Sequence, residues 1–405
     1  MNSNASNPAV APANNNHFDT SLFAKTTHNP SYASLTKQFS EINNLRDYCI
    51  PVNPYFPPAH VMEKLQEKIG YALKYYPGSN ENIAMNIATF SGIKNPATII
   101  AGNGSTEIIS WLNSLFIKQS LFVPAPSFGR WIEEPQGLDI ELHTNRYHDS
   151  LNQYLSPEQL VSDVKQSGAR NLVICNPNNP TGSIMSREQI LWVLEQLPHL
   201  DNIIIDESFI DFSGEEPPSI KNDVANYPNA WVLKSLGKNV GLHGLRMGFA
   251  ISNETNTARL RKHLPYWNVN GITEMLLHLI RDEHAAYNES RLKTIADAVY
   301  LSERFEELPE FILFPTHSNF IFVKLRDDIN GTQLRDRMLQ NHGCFIRNCG
   351  NKLGSSEQYF RIAARPVEDV NYLVNAFKVE LAAMQNLARQ DHCTTNRSSL
   401  INQGV

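Results

Sequence analysis

One lysine stands apart in the stretch Ser235-Leu-Gly-Lys-Asn-Val-Gly-Leu-His-Gly-Leu-Arg-Met-Gly248. Lys238 follows an apolar run at 230–233, and Arg246 lies eight residues on, among Gly241, Gly244 and Gly248. Glycines this close together mean tight turns and close backbone approach. An amine at a strand end, with a guanidinium a short loop away, can hold an aldehyde and its phosphate together. Other groups of the right chemistry precede it. Asp206 ends the apolar run 202–205, and a buried carboxylate needs a cationic partner, either a basic side chain or a protonated ring nitrogen. Asn176-Pro-Asn-Asn-Pro-Thr-Gly182 presents the amide of Asn179, which can donate to an oxyanion or simply belong to a turn. Gly102-Asn-Gly-Ser-Thr-Glu107 delivers Ser105 and Thr106 to a helix start, an anion site or an ordinary cap. Pro124-Ala-Pro-Ser-Phe-Gly129 sets Phe128 against a planar ring or into the core.

These groups need elements to bring them together. Short β-branched runs at 98–101, 120–123, 139–142, 171–175, 202–206, 231–233 and 247–251 alternate with helical stretches. That pattern predicts an α/β fold with a largely parallel sheet covered on both faces. Ligands on such sheets sit at the carboxyl ends of strands, and each motif above follows a strand. A helix is expected over about 60–75, since Val61, Leu65, Ile69 and Leu73 keep helical spacing. Runs at 311–314, 319–325 and 359–363 predict a smaller α+β unit closed by a helix over 367–388. Residues 1–40 are expected to be a disordered tail and 389–405 a flexible one. Between them the reading is an arm and helix over 41–75 joining the small domain, a large domain over 76–270 and a small domain over 271–388.

Composition narrows the classes. Of 405 residues 41% are hydrophobic and 19% charged, an ordinary globular balance. The net charge of −6 includes no basic block suited to a phosphate backbone, which argues against nucleic-acid binding. Five scattered cysteines make neither a disulfide framework nor a zinc spacing, so no metal is expected. No apolar run is long enough to span a membrane, and the first residues lack a secretory pattern. A cytoplasmic protein acting on a small molecule is the expectation.

The motifs in this order resemble the class I/II aminotransferase superfamily of fold-type I pyridoxal-phosphate enzymes. They are most similar to its branch of histidinol-phosphate aminotransferases and threonine-phosphate decarboxylases. The resemblance covers roughly residues 45–385 and implies a mostly parallel, seven-stranded-type sheet sandwiched by helices. It implies pyridoxal 5′-phosphate joined to Lys238 as a Schiff base, with Asp206 pairing the ring nitrogen, Asn179 donating to the ring oxygen and Phe128 stacking on the ring. Ser105, Thr106, Ser235 and Arg246 match the phosphate cup. Tyr76, in Tyr-Pro-Gly, resembles the tyrosine that reaches the phosphate of the neighbouring subunit, which implies a homodimer with shared active sites. Arg361 and Arg347 match the arginines that bind the acidic groups of the substrate. Asn53-Pro-Tyr55 resembles the segment that closes over it.

Three positions depart from the family pattern. Phe209 stands where many relatives carry a tyrosine that donates to the ring oxygen. Gly237 replaces a hydroxyl residue before the lysine, leaving the cup one donor short. His243 is either an added acid or base or a residue of the turn. The first reading of the reaction is transamination of a small amino acid or amine, as in histidinol-phosphate aminotransferase. The alternatives are α-decarboxylation, as in threonine-phosphate decarboxylase, and elimination or cyclisation in a specialised biosynthesis.

Overall fold

The computed structural model describes residues 23, 30–42, 44–145 and 156–401. The first element with described bounds is helix α1 (Tyr32–Gln38), capped by Ser31, whose hydroxyl accepts from the Ser34 N–H at 3.1 Å. Strand β1 (Arg46–Asp47) and helices α2 (Ala59–Lys74) and α3 (Asn80–Ser91) follow. The large sheet then begins with β2 (Ile99–Asn103) and alternates with helices: α4 (Ser105–Trp111), β3 (Ser120–Phe122), α5 (Arg130–Gln136), β4 (Glu141–His143), α6 (Pro157–Ser167), β5 (Asn171–Cys175), α7 (Arg187–Gln196), β6 (Asn202–Asp206), β7 (Ala230–Lys234), the single turn α8 (Leu236–Asn239) and β8 (Met247–Ile251).

These seven strands form one sheet in the order β2-β8-β7-β6-β5-β3-β4. Strands β3 to β7 pair in parallel, while β8 runs antiparallel to both β2 and β7. Every residue of β5, β6, β7 and β8 is buried. Alternation sends Ile203 and Ile205 into the apolar layer on one face and Ile204 into the layer on the other. Both faces are therefore covered, which is why these strands read as unbroken apolar runs. Registry aligns Cys175 with Asp206, and Asp206 with Leu233. The loops after β5, β6 and β7 thus leave the sheet at one level.

Beyond α9 (Glu254–Arg261) and α10 (Gly271–Ile280), the long helix α11 (His284–Phe305) leads to a second core. There β9 (Phe311–Phe314), β10 (Phe320–Leu325), α12 (Gly331–His342), β11 (Cys344–Phe345), β12 (Arg347–Asn348), β13 (Tyr359–Ala363) and α13 (Val367–Ile401) build a four-stranded antiparallel sheet in the order β12-β13-β10-β9, backed by helices. Among the described residues no helix is long and apolar enough to cross a membrane. Cys49, Cys175, Cys344 and Cys349 are free buried thiols.

Several boundaries differ from those read in the sequence. The tail expected over 1–40 contains α1, because Leu35 and Phe39 are one helical turn apart and bury together against Leu339 and Phe345. Residues 1–22 and 24–29 lie outside the described part. Helix α2, expected beside the small domain, packs Val61 and Leu65 into the core of the large sheet. Helix α10, expected to open the small domain, joins it there with Leu276, Leu277 and Ile280. The two helices approach so closely that a Cβ on Gly271 would lie 2.4 Å from the Ala72 carbonyl oxygen. Strand β1 of the same arm does belong with the small domain, pairing in parallel with β11. The final helix continues past 388 to Ile401; once formed, a helix extends at little cost. The last four residues of the tail fall outside the described part.

Candidate active site

The loops leaving β3, β5, β6 and β7 enclose a cavity of about 400 Å³ beside Lys238. Ser105, Thr106, Phe128, Asn179, Phe209, Ser235, Arg246, Arg347 and Arg361, singled out in the sequence, are brought together along its walls. A smaller recess continues from Lys238 to Asp206 and Ser208. The Lys238 nitrogen stands 4.5 Å from the centre of the Phe209 ring and 5.9 Å from that of Phe128. Burial among these walls takes water from the amine and lowers its pKa to about 8. The Arg361 and Arg246 charges push the same way, and Asp206 opposes them.

Asp206 is held by neutral donors. The Trp131 indole N–H donates to Oδ2 at 2.8 Å, and the Ser208 hydroxyl and N–H donate to Oδ1 at 2.5 and 3.1 Å. An ion pair to a side chain was one reading of Asp206; among the described residues no salt bridge to it is formed, its charge reaches Lys238, and Lys234 pairs instead with Asp211 at 2.9 Å and with Glu207 at 3.6 Å. Sequence reasoning missed Trp131 and Ser208. The signal available was Trp131 one helical turn after Phe128, with no separate pattern to mark it.

The cradle formed by Ser105, Thr106 and Arg246 depends on glycines. Gly104 has φ of +82°, and a Cβ there would lie 2.6 Å from an Arg246 Nη2 nitrogen. That nitrogen donates to the Thr106 hydroxyl at 2.8 Å. A Cβ on Gly248 would lie 2.3 Å from the Ser105 nitrogen. The guanidinium and the first turn of α4 therefore meet only because both positions lack a side chain. Gly237 has a similar reason: a Cβ there would sit 3.1 Å from the His243 Cα, so a hydroxyl side chain would force the turn outward. His243 serves that turn through its carbonyl, which accepts the Arg246 N–H at 3.3 Å. Its ring lines the cavity, with its pKa lowered by burial first.

The small domain supplies the opposite wall. Arg361 on β13 donates from Nη1 to Asn179 Oδ1 at 2.7 Å and from Nη2 to the Cys49 carbonyl. Its Nε is buried without a partner, and its pKa is lowered by burial to about 10. Because Arg361 occupies Asn179 Oδ1, the amide nitrogen of Asn179 is the atom left to donate. Arg347 on β12 donates to Asn351 Oδ1 at 2.7 Å. Lys352, which sequence reasoning also missed, lines the same cavity from the loop between β12 and β13.

Two expected substrate residues face elsewhere. Asn53 donates to the Ser290 hydroxyl at 2.9 Å and accepts from Thr294 at 3.2 Å, and the Tyr55 hydroxyl donates to Asp297 at 2.7 Å. Both side chains are thus tied to α11. The physical reason is the path of the arm, which crosses Gly241 where a Cβ would lie 2.4 Å from the Asn53 carbonyl oxygen. The arm instead offers Ile50 and Pro51 to the cavity. Tyr76 also lies away from this chain's own cavity, 78% exposed and stacked on Trp267 at 4.3 Å.

The donor set fits pyridoxal phosphate. A lysine with a depressed pKa, a buried carboxylate held by neutral donors, the amide nitrogen of Asn179, and a glycine-floored cradle of Ser105, Thr106, Ser235 and Arg246 provide one partner for each of its aldehyde, ring nitrogen, ring oxygen and phosphate. Comparison with known proteins agrees. Residues 47–377 match the family model described as Aminotransferase class I and II. The chain is 30% identical over 358 residues to an L-serine phosphate decarboxylase of Campylobacter jejuni, spanning 85% of this chain and 91% of that one. It is 25% identical to a histidinol-phosphate aminotransferase of Methanothermobacter thermautotrophicus, over 78% of this chain and 84% of the relative. Its fold superposes on the structure of a decarboxylase from Sulfurospirillum multivorans with a TM-score of 0.79 and 27% identity, covering 89% and 95% of the two chains.

Proposed function

Because the chain belongs to the class I and II aminotransferase family, whose members depend on pyridoxal phosphate, we propose that it decarboxylates a phosphorylated amino acid, L-serine phosphate being the leading candidate. Transamination was the first expectation from the sequence. The observation that moves the reading is the 30% identity to an L-serine phosphate decarboxylase over nearly the full length of both chains. The named relatives of both kinds carry a phosphate-bearing substrate in their names, which the cationic wall of Arg347 and Arg361 suits in either case.

Lys238 would hold the cofactor covalently, Asp206 its ring nitrogen, Asn179 its ring oxygen, and Ser105, Thr106, Ser235 and Arg246 its phosphate. When bound, pyridoxal phosphate supplies an electron sink for whichever bond to the α-carbon breaks. The protein's part is to choose the bond and to move the proton. Arg361, fixed by Asn179 and the Cys49 carbonyl, orients an anionic group of the substrate. Lys238 would be the acid that gives a proton to the α-carbon once CO2 has left. Its pKa near 8 keeps both protonation states populated near neutrality. Phe128 and Phe209 exclude water from that transfer.

The same reading includes a homodimer. Its support is the exposed aromatic surface around Tyr76, where Tyr71, Tyr75, Tyr266 and Trp267 are 63%, 52%, 90% and 52% exposed. Patches of this kind mark interfaces. The test of the reaction is to incubate the loaded enzyme with L-serine phosphate alone. Ethanolamine phosphate formed catalytically, with no keto acid added, supports decarboxylation; turnover only when a keto acid is supplied overturns it.

A further inference from the structure

The wall opposite Lys238 holds more positive charge than the two arginines. Lys352 sits in the loop between β12 and β13, and its Nζ donates to the Ser127 carbonyl at 2.8 Å. The neighbouring Arg361 likewise donates to neutral acceptors, the Asn179 amide oxygen and the Cys49 carbonyl. Arg347 and Arg361 are only 7% and 8% exposed. Three cations gathered on one cavity wall repel one another and lose hydration, a cost that a bound anion relieves. The unpartnered Nε of Arg361 is a buried donor on the same wall. The loop is seated for this purpose, since Gly354 has φ of +78° and packs against Ala125 and Pro126, beside the carbonyl that Lys352 holds.

We propose that Lys352 is a substrate-binding residue that recognises the phosphate dianion of the substrate, acting with Arg347 while Arg361 stays tied to Asn179. This rests on the reading that the substrate is a phosphorylated amino acid. The Lys352 ammonium is already strained towards proton loss. Burial, then Arg347, then Arg361 lower its pKa to about 7. Only the protonated form attracts a dianion. For the dianion, which predominates above about pH 6, affinity therefore declines as pH rises through about 7.

The experiment is an equilibrium titration of the loaded enzyme, read from the cofactor absorbance, with ethanolamine phosphate and with ethanolamine, amines that carry no carboxylate to lose. Wild type, Lys352→Gln and Lys352→Arg are compared. The preference for the phosphorylated ligand should fall by about 10- to 100-fold in Lys352→Gln, the range for one hydrogen bond to a charged group. Lys352→Arg should keep the preference and lose the decline above pH 7, since arginine stays protonated. Equal weakening of both ligands would show that Lys352 only latches the loop to residues 124–129, and would overturn the proposal. So would a wild-type enzyme with no preference for the phosphate. The titration reads binding without turnover. A normal preference, with no CO2 released when the same enzyme is incubated with L-serine phosphate, would sink the proposed reaction and leave the Lys352 site standing.

Discussion

Lys238 must act as a free amine to capture the cofactor, and its surroundings fix when it can. With a pKa of about 8, roughly one molecule in ten carries the neutral amine at pH 7, against about one in 3,000 for an unperturbed lysine near 10.5. The apoenzyme should therefore take up pyridoxal phosphate about 300-fold faster at pH 7 than an ordinary lysine would allow. The assay mixes apoenzyme with pyridoxal phosphate across a range of pH and follows the absorbance of the covalent adduct. The rate should climb with pH up to an inflection near 8 and then flatten. Neighbouring charges set the direction in which variants move it. Asp206 raises the Lys238 pKa and Arg361 lowers it, so Asp206→Asn should bring the inflection down and Arg361→Gln should bring it up. A rate that climbs without inflection to pH 10, or an inflection that either variant moves the opposite way, would refute this reasoning about burial and charge.

Phe209→Tyr adds a phenol where the family often has one. A hydrogen bond to a charged group is worth about 1.5–3 kcal/mol, so the Schiff base pKa should drop by about 1–2 units. A spectral titration showing no drop contradicts the missing-donor argument. Gly248→Ala puts a methyl 2.3 Å from the Ser105 nitrogen; cofactor affinity should fall at least about tenfold, in keeping with an overpacking cost of about 1–3 kcal/mol. Undiminished affinity would place the phosphate elsewhere. If Tyr76 reaches the neighbouring site, mixed dimers of Tyr76→Ala and Lys238→Ala should regain one complete site, and activity measured after subunit exchange should exceed that of either parent. No recovery would mean that the sites are not shared.

Much of the site was legible because each of its parts closes a strand. Lys238, Asp206, Asn179 and Phe128 follow β-branched runs that have no other way to end, and parallel registry brings those ends to one level. The glycines at 104, 237 and 248 mark where backbone and guanidinium pack together. What escaped was set by distant contacts. Trp131 reaches Asp206 across 75 positions and Lys352 reaches Ser127 across 225, and neither carries a local pattern. Asn53 and Tyr55 face α11 because Gly241 sets the course of the arm, which no spacing near residue 53 reveals. Strands β1, β11 and β12 span two residues each, too short for any periodicity to appear. Helix α2 buries Val61 and Leu65 of its expected stripe but leaves Ile69 and Leu73 42% and 69% exposed, and the stripe does not say which of two cores will receive it.

The measurement closest to the central claim is a single turnover. Enzyme loaded with pyridoxal phosphate is mixed with less than one equivalent of L-serine phosphate labelled at the carboxyl carbon, and the cofactor spectrum and released CO2 are followed together. Decarboxylation requires one CO2 per substrate consumed, with the spectrum returning to that of the resting enzyme. Conversion to the pyridoxamine form with the label retained would contradict it and restore transamination.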